Sequence, residues 1–545
     1  MNDNLIRDDE EMEVLVTSAQ LVGEEKLEES DSSDNDLISS QHPKSLWALS
    51  CNSKRTSARK KKKKRKKKKE KRADYDIVPK YPLCAVIPSF IKQTLGEDYL
   101  TRQGFNIPAT LTFNFPWDFA FFFGKSLTGK FVGKSFADDG HIAVFGGSGS
   151  GKTTGIAIPN LFTWKGTIFS FDFKGDLIKW LPERRHSIIL YLLSGSKNHY
   201  WYDPFYILRQ YGIEKLIQNA RELAYAIIPL PQTITEPFWI EAARDVLTGA
   251  IVYFHRLGIG FIDSMIEVKT TPMANLLKKI ADDKMAKTCV NLDLNMDSKM
   301  LAGISMELHN HISVFATDTL IQDILSSSED DHKERIMWDE LEQTDIFIRI
   351  DQSMCEQWKS VMRLLLVQLI RTLERRPEKY EAAGKRIAPT LLMLDEFPQY
   401  GKLDIFTSAL KILRSKNVTI SIFCQSLADL DETYGKNSRR AILDNCPYKA
   451  VLNASDAETQ QYFSDLVGTT KVPSKAITAN FDELGYSLGY SVSVNESREP
   501  IIHPHEFASL PDIILLHPGP ERFCRVKKET YFRENACPEL IEEGR

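Results

Sequence analysis

Residues 146 to 154 read Gly146-Gly147-Ser148-Gly149-Ser150-Gly151-Lys152-Thr153-Thr154, a glycine-rich loop closed by a lysine and two hydroxyl residues. The chemistry such a loop supports is phosphate binding. Its backbone N–H groups must approach phosphate oxygens closely, and Cβ atoms would be in the way, so glycine recurs. Lys152 is of the type that neutralises charge on the β- and γ-phosphates, and the Thr153 hydroxyl is a Mg²⁺ ligand. An apolar run from His141 to Phe145 precedes the loop, and a helix is expected from Lys152 onward. Strand before and helix after are the setting the motif requires, because the helix start turns its positive end on the phosphates. The expected ligands are a nucleoside triphosphate and Mg²⁺.

A phosphate loop of this kind works with an acidic strand end that completes the magnesium shell. The stretch "LLMLDEF" (391 to 397) supplies four apolar residues of a buried strand and then Asp395 and Glu396. Asp395 would hold the Mg²⁺ shell and Glu396 would polarise the attacking water. The second carboxylate argues for hydrolysis over simple binding; the alternative is an acidic pair that caps the next helix. In "VTISIFCQ" (418 to 425) Gln425 stands at a strand's carboxyl end, where parallel sheets line their ligand crevice. It can hydrogen-bond γ-phosphate or water there, or be merely solvated. Asp172 and Lys174 in "SFDFKGD" should face the same crevice. For them water orientation, phosphate contact and a structural salt bridge all stay open.

The elements that must position these groups alternate along the chain. Strands are expected at 141–145, 166–172, 187–193, 344–351, 389–397, 418–425 and 448–455, with a long helix at 357–375. Strands separated by helices imply a parallel sheet covered on both faces. Residues 214–335 differ, for "EKLIQNARELAYAII", "PFWIEAARDVLTGAIVYFHRLG" and "TPMANLLKKIADDKMAK" carry apolar residues at helical spacing. The expected organisation is a charged tail (1–74), a first part of an α/β ATPase domain (75–213), an inserted all-α domain (214–335) and the second part of the ATPase domain (336–545).

Composition is that of a globular protein, with 42% hydrophobic and 26% charged residues among 545. The net charge of −4 hides a segregation. The first forty residues are acidic, whereas residues 54–72 read "KRTSARKKKKKRKKKKEKR". Low hydrophobicity and blocked charge predict disorder for residues 1–74. The Lys/Arg tract is either a solvated tail or a polyelectrolyte arm for DNA or anionic lipid. None of the eight cysteines falls in a zinc-ligand spacing, and Cys424 within "ISIFCQ" reads as a buried thiol. No stretch reaches the ~18 apolar residues of a spanning helix. "TLTFNFPWDFAFFFG" (110–124) comes nearest and reads as a β-rich or surface-docking segment. The expected location is the cytoplasm, with peripheral contact at the inner membrane face through residues 54–72.

Four stretches taken together carry a resemblance. They are "GGSGSGKTTGIAIPNLFTWKGTIFSFDFKGDL", "PFWIEAARDVLTG", "LDEFPQYGKLDIFTSALKILRSKNVTISIFCQSLADLDETYG" and "REPIIHPHEFASLPDIILLHPG". In content and order they resemble the type IV secretion coupling proteins, the TraG/TraD-class DNA-pumping ATPases of bacterial conjugation, over most of residues 135–535. The resemblance implies a RecA-like P-loop motor, with ATP bound between subunits of a ring hexamer and single-stranded DNA threaded through its centre. The relaxase-bound transfer strand is the cargo it implies, with protein effectors as the alternative; single- or double-stranded DNA and channel components are the implied partners. It also implies that Gln425 is a sensor and that Arg414, in "LKILRSKN", is a finger reaching a neighbour's nucleotide. A helix-terminal cation is the plainer role for Arg414. The sequence departs from the family at its start, where a charged tail stands in place of a membrane hairpin. A soluble FtsK/HerA-like DNA translocase and a non-hydrolysing cargo adaptor are the competing readings.

Overall fold

A computed structural model of the chain describes residues 102–529 other than 117, 211, 231–236, 292–296, 327–331, 380–386 and 482–486. The tail of residues 1–74, including the Lys/Arg tract, lies outside the described residues. The described part contains sixteen strands. The first six are β1 (Thr112–Phe113), β2 (Phe121–Lys125), β3 (Phe131–Lys134), β4 (Ile142–Phe145), β5 (Thr167–Asp172) and β6 (Ser187–Leu192). Next come β7 (Tyr200–Tyr202), β8 (Glu334–Ile336), β9 (Asp345–Ile350), β10 (Thr390–Leu394), β11 (Val418–Cys424) and β12 (Tyr448–Val451). The last are β13 (Thr469–Phe481), β14 (Ser487–Pro500), β15 (Asp512–Leu516) and β16 (Phe523–Lys527).

Twelve of them form one sheet in the order β1-β3-β2-β16-β15-β12-β4-β11-β10-β5-β9-β6. Every neighbouring pair from β12 to β6 is parallel. Every pair from β12 to β1 is antiparallel. The strands read from the sequence are the parallel ones. They form because their apolar runs are buried on both faces, as β4, β5, β10 and β11 are throughout. Successive side chains of a strand leave opposite faces, so Ile142 and Val144 join one apolar core while Ala143 and Phe145 join the other. The segment 110–124 takes the β-rich alternative: Phe119, Phe121, Phe122 and Phe123 are fully buried beneath the antiparallel flank. Buried Asn160, on the helix that follows the glycine loop, accepts from the Phe122 N–H at 2.8 Å and donates to the Phe122 carbonyl at 3.0 Å. It thereby ties β2 to that helix.

Described residues between Leu216 and Leu325 are mainly helical, with helices Leu216–Ile227, Phe238–Arg256, Phe261–Thr270, Met273–Asp282 and Ser298–Thr317 the longest. Their apolar stripes share one continuous core with Ala143, Phe145, Phe169 and Phe171 of the sheet. Asp318 joins the block to the strand-helix body. Its carboxylate caps the helix Thr319–Leu325 and accepts from the Trp358 indole at 2.8 Å. β8 pairs in parallel with β7, and β13 and β14 form a separate antiparallel ribbon. Sequence periodicity had marked none of these four strands. Among the described residues no helix is long and apolar enough to cross a membrane.

The start of the central strand β4 is held by a buried histidine. His141 accepts from the Ile420 N–H of β11 at 3.0 Å through Nδ1, so its Nε2 carries the proton given to the Leu410 carbonyl at 2.7 Å. Burial pushes its pKa down from 6.5 to about 4. The unfolded chain therefore takes up a proton near pH 6.5 that the folded chain refuses until about pH 4. Stability is expected to be full above the higher value and to fall as pH drops between the two. The measurement is the denaturant midpoint against pH. His141→Gln should be less stable by about 1–3 kcal/mol at pH 7.5 and show a shallower acid dependence.

Candidate nucleotide site

Parallel strands bring all their carboxyl ends to one edge of the sheet, and the candidate site is built there from four neighbours. β4 leads into the glycine loop, β11 is followed at once by Gln425, β10 is followed at once by Asp395, and β5 ends at Asp172. β11 lies between β4 and β10 and is bonded to both, so Gln425 emerges between the loop and the acidic pair.

The loop has the form of an anion cradle. Gly149 and Gly151 take left-handed φ values of 73° and 95°, which glycine adopts without a Cβ penalty. A Cβ on Gly146 would collide with the Ser150 hydroxyl. Ser150 Oγ is buried and has no hydrogen-bond partner among the described residues. The helix beyond opens with one wide turn, Thr153–Ala157, in which the Ile158 N–H reaches the Thr153 carbonyl. Pro159 follows at once and has no N–H to give a regular ladder. Lys152 is buried, and its ammonium folds back on the Gly146 and Gly147 carbonyls. Burial pulls its pKa below the usual lysine range, against the opposing pull of the Glu396 and Asp395 charges.

Thr153 Oγ1 donates to Asp395 Oδ2 at 3.3 Å, so the two expected magnesium ligands are already in contact across the crevice. Glu396 adopts φ 50°, ψ 48°, a left-handed conformation that strains a non-glycine residue and turns its side chain out of the strand direction. Its Oε1 receives Lys174 Nζ at 3.3 Å and its Oε2 receives Gln425 Nε2 at 3.1 Å. Burial first, and then the charge of Glu396, push the Asp395 carboxyl up to about 6, with Lys152 and Lys174 opposing. Beside the Glu396–Gln425 pair opens a cleft of about 650 Å³, lined also by Glu356, Lys359, Gln399 and Asp429.

Lys152, Thr153, Asp395, Glu396 and Gln425 are thus brought together. Asp172 turns out to be a loop brace, its two oxygens accepting the Gly175 N–H at 2.7 Å and the Ile178 N–H at 2.9 Å. Arg414 is not in the cluster. It is exposed in the turn Arg414–Lys416 that precedes β11, at the amino end of the strand whose carboxyl end carries Gln425. The seven residues of β11 separate the two ends by roughly 20 Å. Sequence reading missed Asn453, which follows β12 and accepts from the Gly147 N–H at 2.6 Å. The rule that carboxyl ends of parallel strands line the crevice would have found it. It also missed Arg349, a guanidinium at the end of β9 that donates to the Asp172 and Phe173 carbonyls. A lone arginine inside "DIFIRI" was the available signal.

With this geometry in view, the similarities are informative. Residues 90–543 match the family described as Type IV secretory system Conjugative DNA transfer. "Protein VirD4" of Rhizobium rhizogenes is 23% identical over 423 residues, covering 74% of this chain and 60% of the relative. "Conjugal transfer protein TraG" of Escherichia coli is 21% identical over 399 residues, covering 68% of this chain and 62% of the relative. The chain therefore spans about 60% of the length of the relatives it matches. Among solved structures, the plasmid coupling protein TrwB in complex with the non-hydrolysable ATP analogue ADPNP superposes with a TM-score of 0.59 at 18% identity, over 79% of this chain and 92% of that one. TrwB in complex with ADP and Mg²⁺ gives 0.56 at 17%, over 72% and 85%. The shared architecture is the RecA-like P-loop fold.

Because Asp395 is charged and buried at neutral pH in a setting that disfavours its charge, the folded chain carries an electrostatic cost there. Asp395→Asn removes that cost while keeping the shape. It is expected to raise the stability of the nucleotide-free protein by about 1–3 kcal/mol. A thermal melt at pH 7.5 without nucleotide checks this.

Proposed function

The chain belongs to the Type IV secretory system Conjugative DNA transfer family, and from that premise we propose that it is an ATP-hydrolysing ring motor that moves DNA, free or protein-bound, into a type IV secretion channel. The observation that carries the reading is the convergence of Thr153–Asp395 at 3.3 Å with Glu396 held between Lys174 and Gln425. Such an arrangement can hydrolyse a triphosphate as well as hold one. ATP is the substrate. The amides of residues 146–151 and the Thr154 turn cradle its phosphates, and Lys152 leaves the loop carbonyls for the β/γ charge. The unpartnered Ser150 hydroxyl gains an acceptor.

Thr153 and Asp395 would hold Mg²⁺, whose role is to neutralise charge on the β- and γ-oxygens. Two protein ligands suffice, since Mg²⁺ keeps waters and substrate oxygens for the remainder. Glu396 takes the proton of the attacking water, and Gln425 orients that water and registers the γ-phosphate. Lys152→Ala and Glu396→Gln are expected to lower phosphate release at least about 100-fold in an assay with and without single-stranded DNA. The wild type should be stimulated by the DNA, and its specific activity should rise with protein concentration as rings assemble. A wild type that binds ATP and never releases phosphate would instead be a cargo adaptor.

Arg414 serves a neighbouring subunit in this reading, because its own cluster lies at the opposite end of β11. A guanidinium donated in trans stabilises charge on the transferring phosphoryl group. Arg414→Ala and Lys152→Ala proteins should each be inactive alone and should recover part of the activity when mixed, since each supplies what the other lacks. Absence of recovery in mixed rings removes the finger role. The cargo partners are DNA and a relaxase or other secreted protein, the docking partner is the channel, and the Lys/Arg tract 54–72 binds DNA or anionic lipid electrostatically. Binding through that tract falls steeply with salt.

A further inference from the structure

Lys174 sits on a loop held far more firmly than an exposed lysine requires. Phe173 before it packs on Tyr400, ring centroids 5.6 Å apart. Gly175 after it takes φ 82°, and a Cβ there would come within 3.0 Å of the Arg349 guanidinium. The Asp172 carboxylate accepts the N–H groups of Gly175 and Ile178, at 2.7 and 2.9 Å. Arg349, from the neighbouring β9, donates to the Asp172 and Phe173 carbonyls at 3.0 and 2.8 Å. The brace therefore fixes the backbone on both sides of Lys174 and leaves its side chain 44% exposed, reaching Glu396 Oε1 at 3.3 Å.

With the lysine open to solvent, which screens the pair, the contact adds little to stability although Glu396 is buried. What it does is complete a two-sided hold. β5 and β11 flank β10 in the sheet. The β5 loop delivers an ammonium to one oxygen of Glu396, and the end of β11 delivers an amide to the other. Each carboxylate oxygen keeps a second lone-pair direction, so the hold orients the group without exhausting it. Glu396 needs such a hold, since its backbone is in a left-handed conformation and its neighbour Asp395 repels it.

We infer that Lys174 is a positioning residue for the hydrolytic step: together with Gln425 it fixes the Glu396 carboxylate so that a free lone pair faces the attacking water. The inference rests on the hydrolase reading above. In the step itself, the water oxygen bonds to the γ-phosphorus as the bond to the ADP oxygen breaks, and the water proton goes to Glu396. Lys174 gives and takes no proton.

The experiment is steady-state ATP hydrolysis with single-stranded DNA by wild type, Lys174→Met and Lys174→Arg, alongside melting temperature and binding of a fluorescent ATP analogue. Lys174→Met is expected to lower kcat about tenfold or more while KM and analogue affinity stay within about threefold. Lys174→Arg, which keeps the cation and the donor, should recover much of the loss. An unchanged kcat in Lys174→Met with an active wild type overturns the positioning role alone. So does a loss of kcat that runs in step with lost affinity or lost folding. A wild type that does not hydrolyse ATP removes the reaction and this role with it.

Discussion

Everything at the candidate site depends on the insertion of β11 between β4 and β10. Adjacent strands lie about 4.8 Å apart, so the loop after β4 and the acidic pair after β10 stand about 10 Å from one another. That is a gap which a lysine, a threonine and a carboxylate can close from its two sides. Were β10 bonded directly to β4, nothing would emerge between phosphate loop and carboxylates. Were it one strand further out, Thr153 could not meet Asp395. Parallel pairing along β12-β4-β11-β10-β5-β9-β6 then ensures that every one of these ends points to the same edge. The buried His141 fixes where β4 starts relative to β11, and hence where its loop begins.

At that edge the fold keeps several groups in states that they would leave if free. Asp395 is buried with its carboxyl pushed up to about 6, and Lys152 is buried with its ammonium turned on its own loop. Glu396 has a left-handed backbone, and Ser150 Oγ has no partner among the described residues. The interior of the sheet, apolar on both faces, over-determines these conformations and so can hold them. All four tensions are of the kind that a polyanion with a divalent cation relieves.

The periphery has a different logic. The antiparallel strands β15, β16, β2, β3 and β1 extend the sheet on the β12 side, and β6 is its other edge. The helices between Leu216 and Leu325 press on the face bearing Ala143 and Phe145 and share its core. Tyr400 belongs to the same core, packs on Phe171 and Phe173, and its hydroxyl donates to the Asp395 carbonyl at 3.1 Å. Such tight packing transmits displacement well.

By itself the sequence determined which residues could form the candidate site and where the parallel strands lie. The glycine loop, Lys152, Thr153, Asp395 and Glu396 are local patterns, each legible within a few residues. The buried strands are legible because an apolar run flanked by polar turns is a one-dimensional signal. The antiparallel flank was legible only as a β-rich stretch at 110–124: β1 has only two residues, and β2 sits in an aromatic run without alternation; the separate parallel pair β7 and β8 has only three residues in each strand. The roles of Asp172 and Lys174 were likewise left open, because a carboxylate and an ammonium at a strand end look the same whether they brace a loop, grip a phosphate or orient a base. The local backbone geometry decided that Asp172 turns back on Gly175 and Ile178, and strand order decided that Lys174 and Gln425 grip Glu396 from opposite sides. Side chains from positions 174, 396 and 425 meet because β5, β10 and β11 are neighbours in space. Adjacency in a sheet is fixed by how whole faces pack, and no short stretch of sequence encodes that.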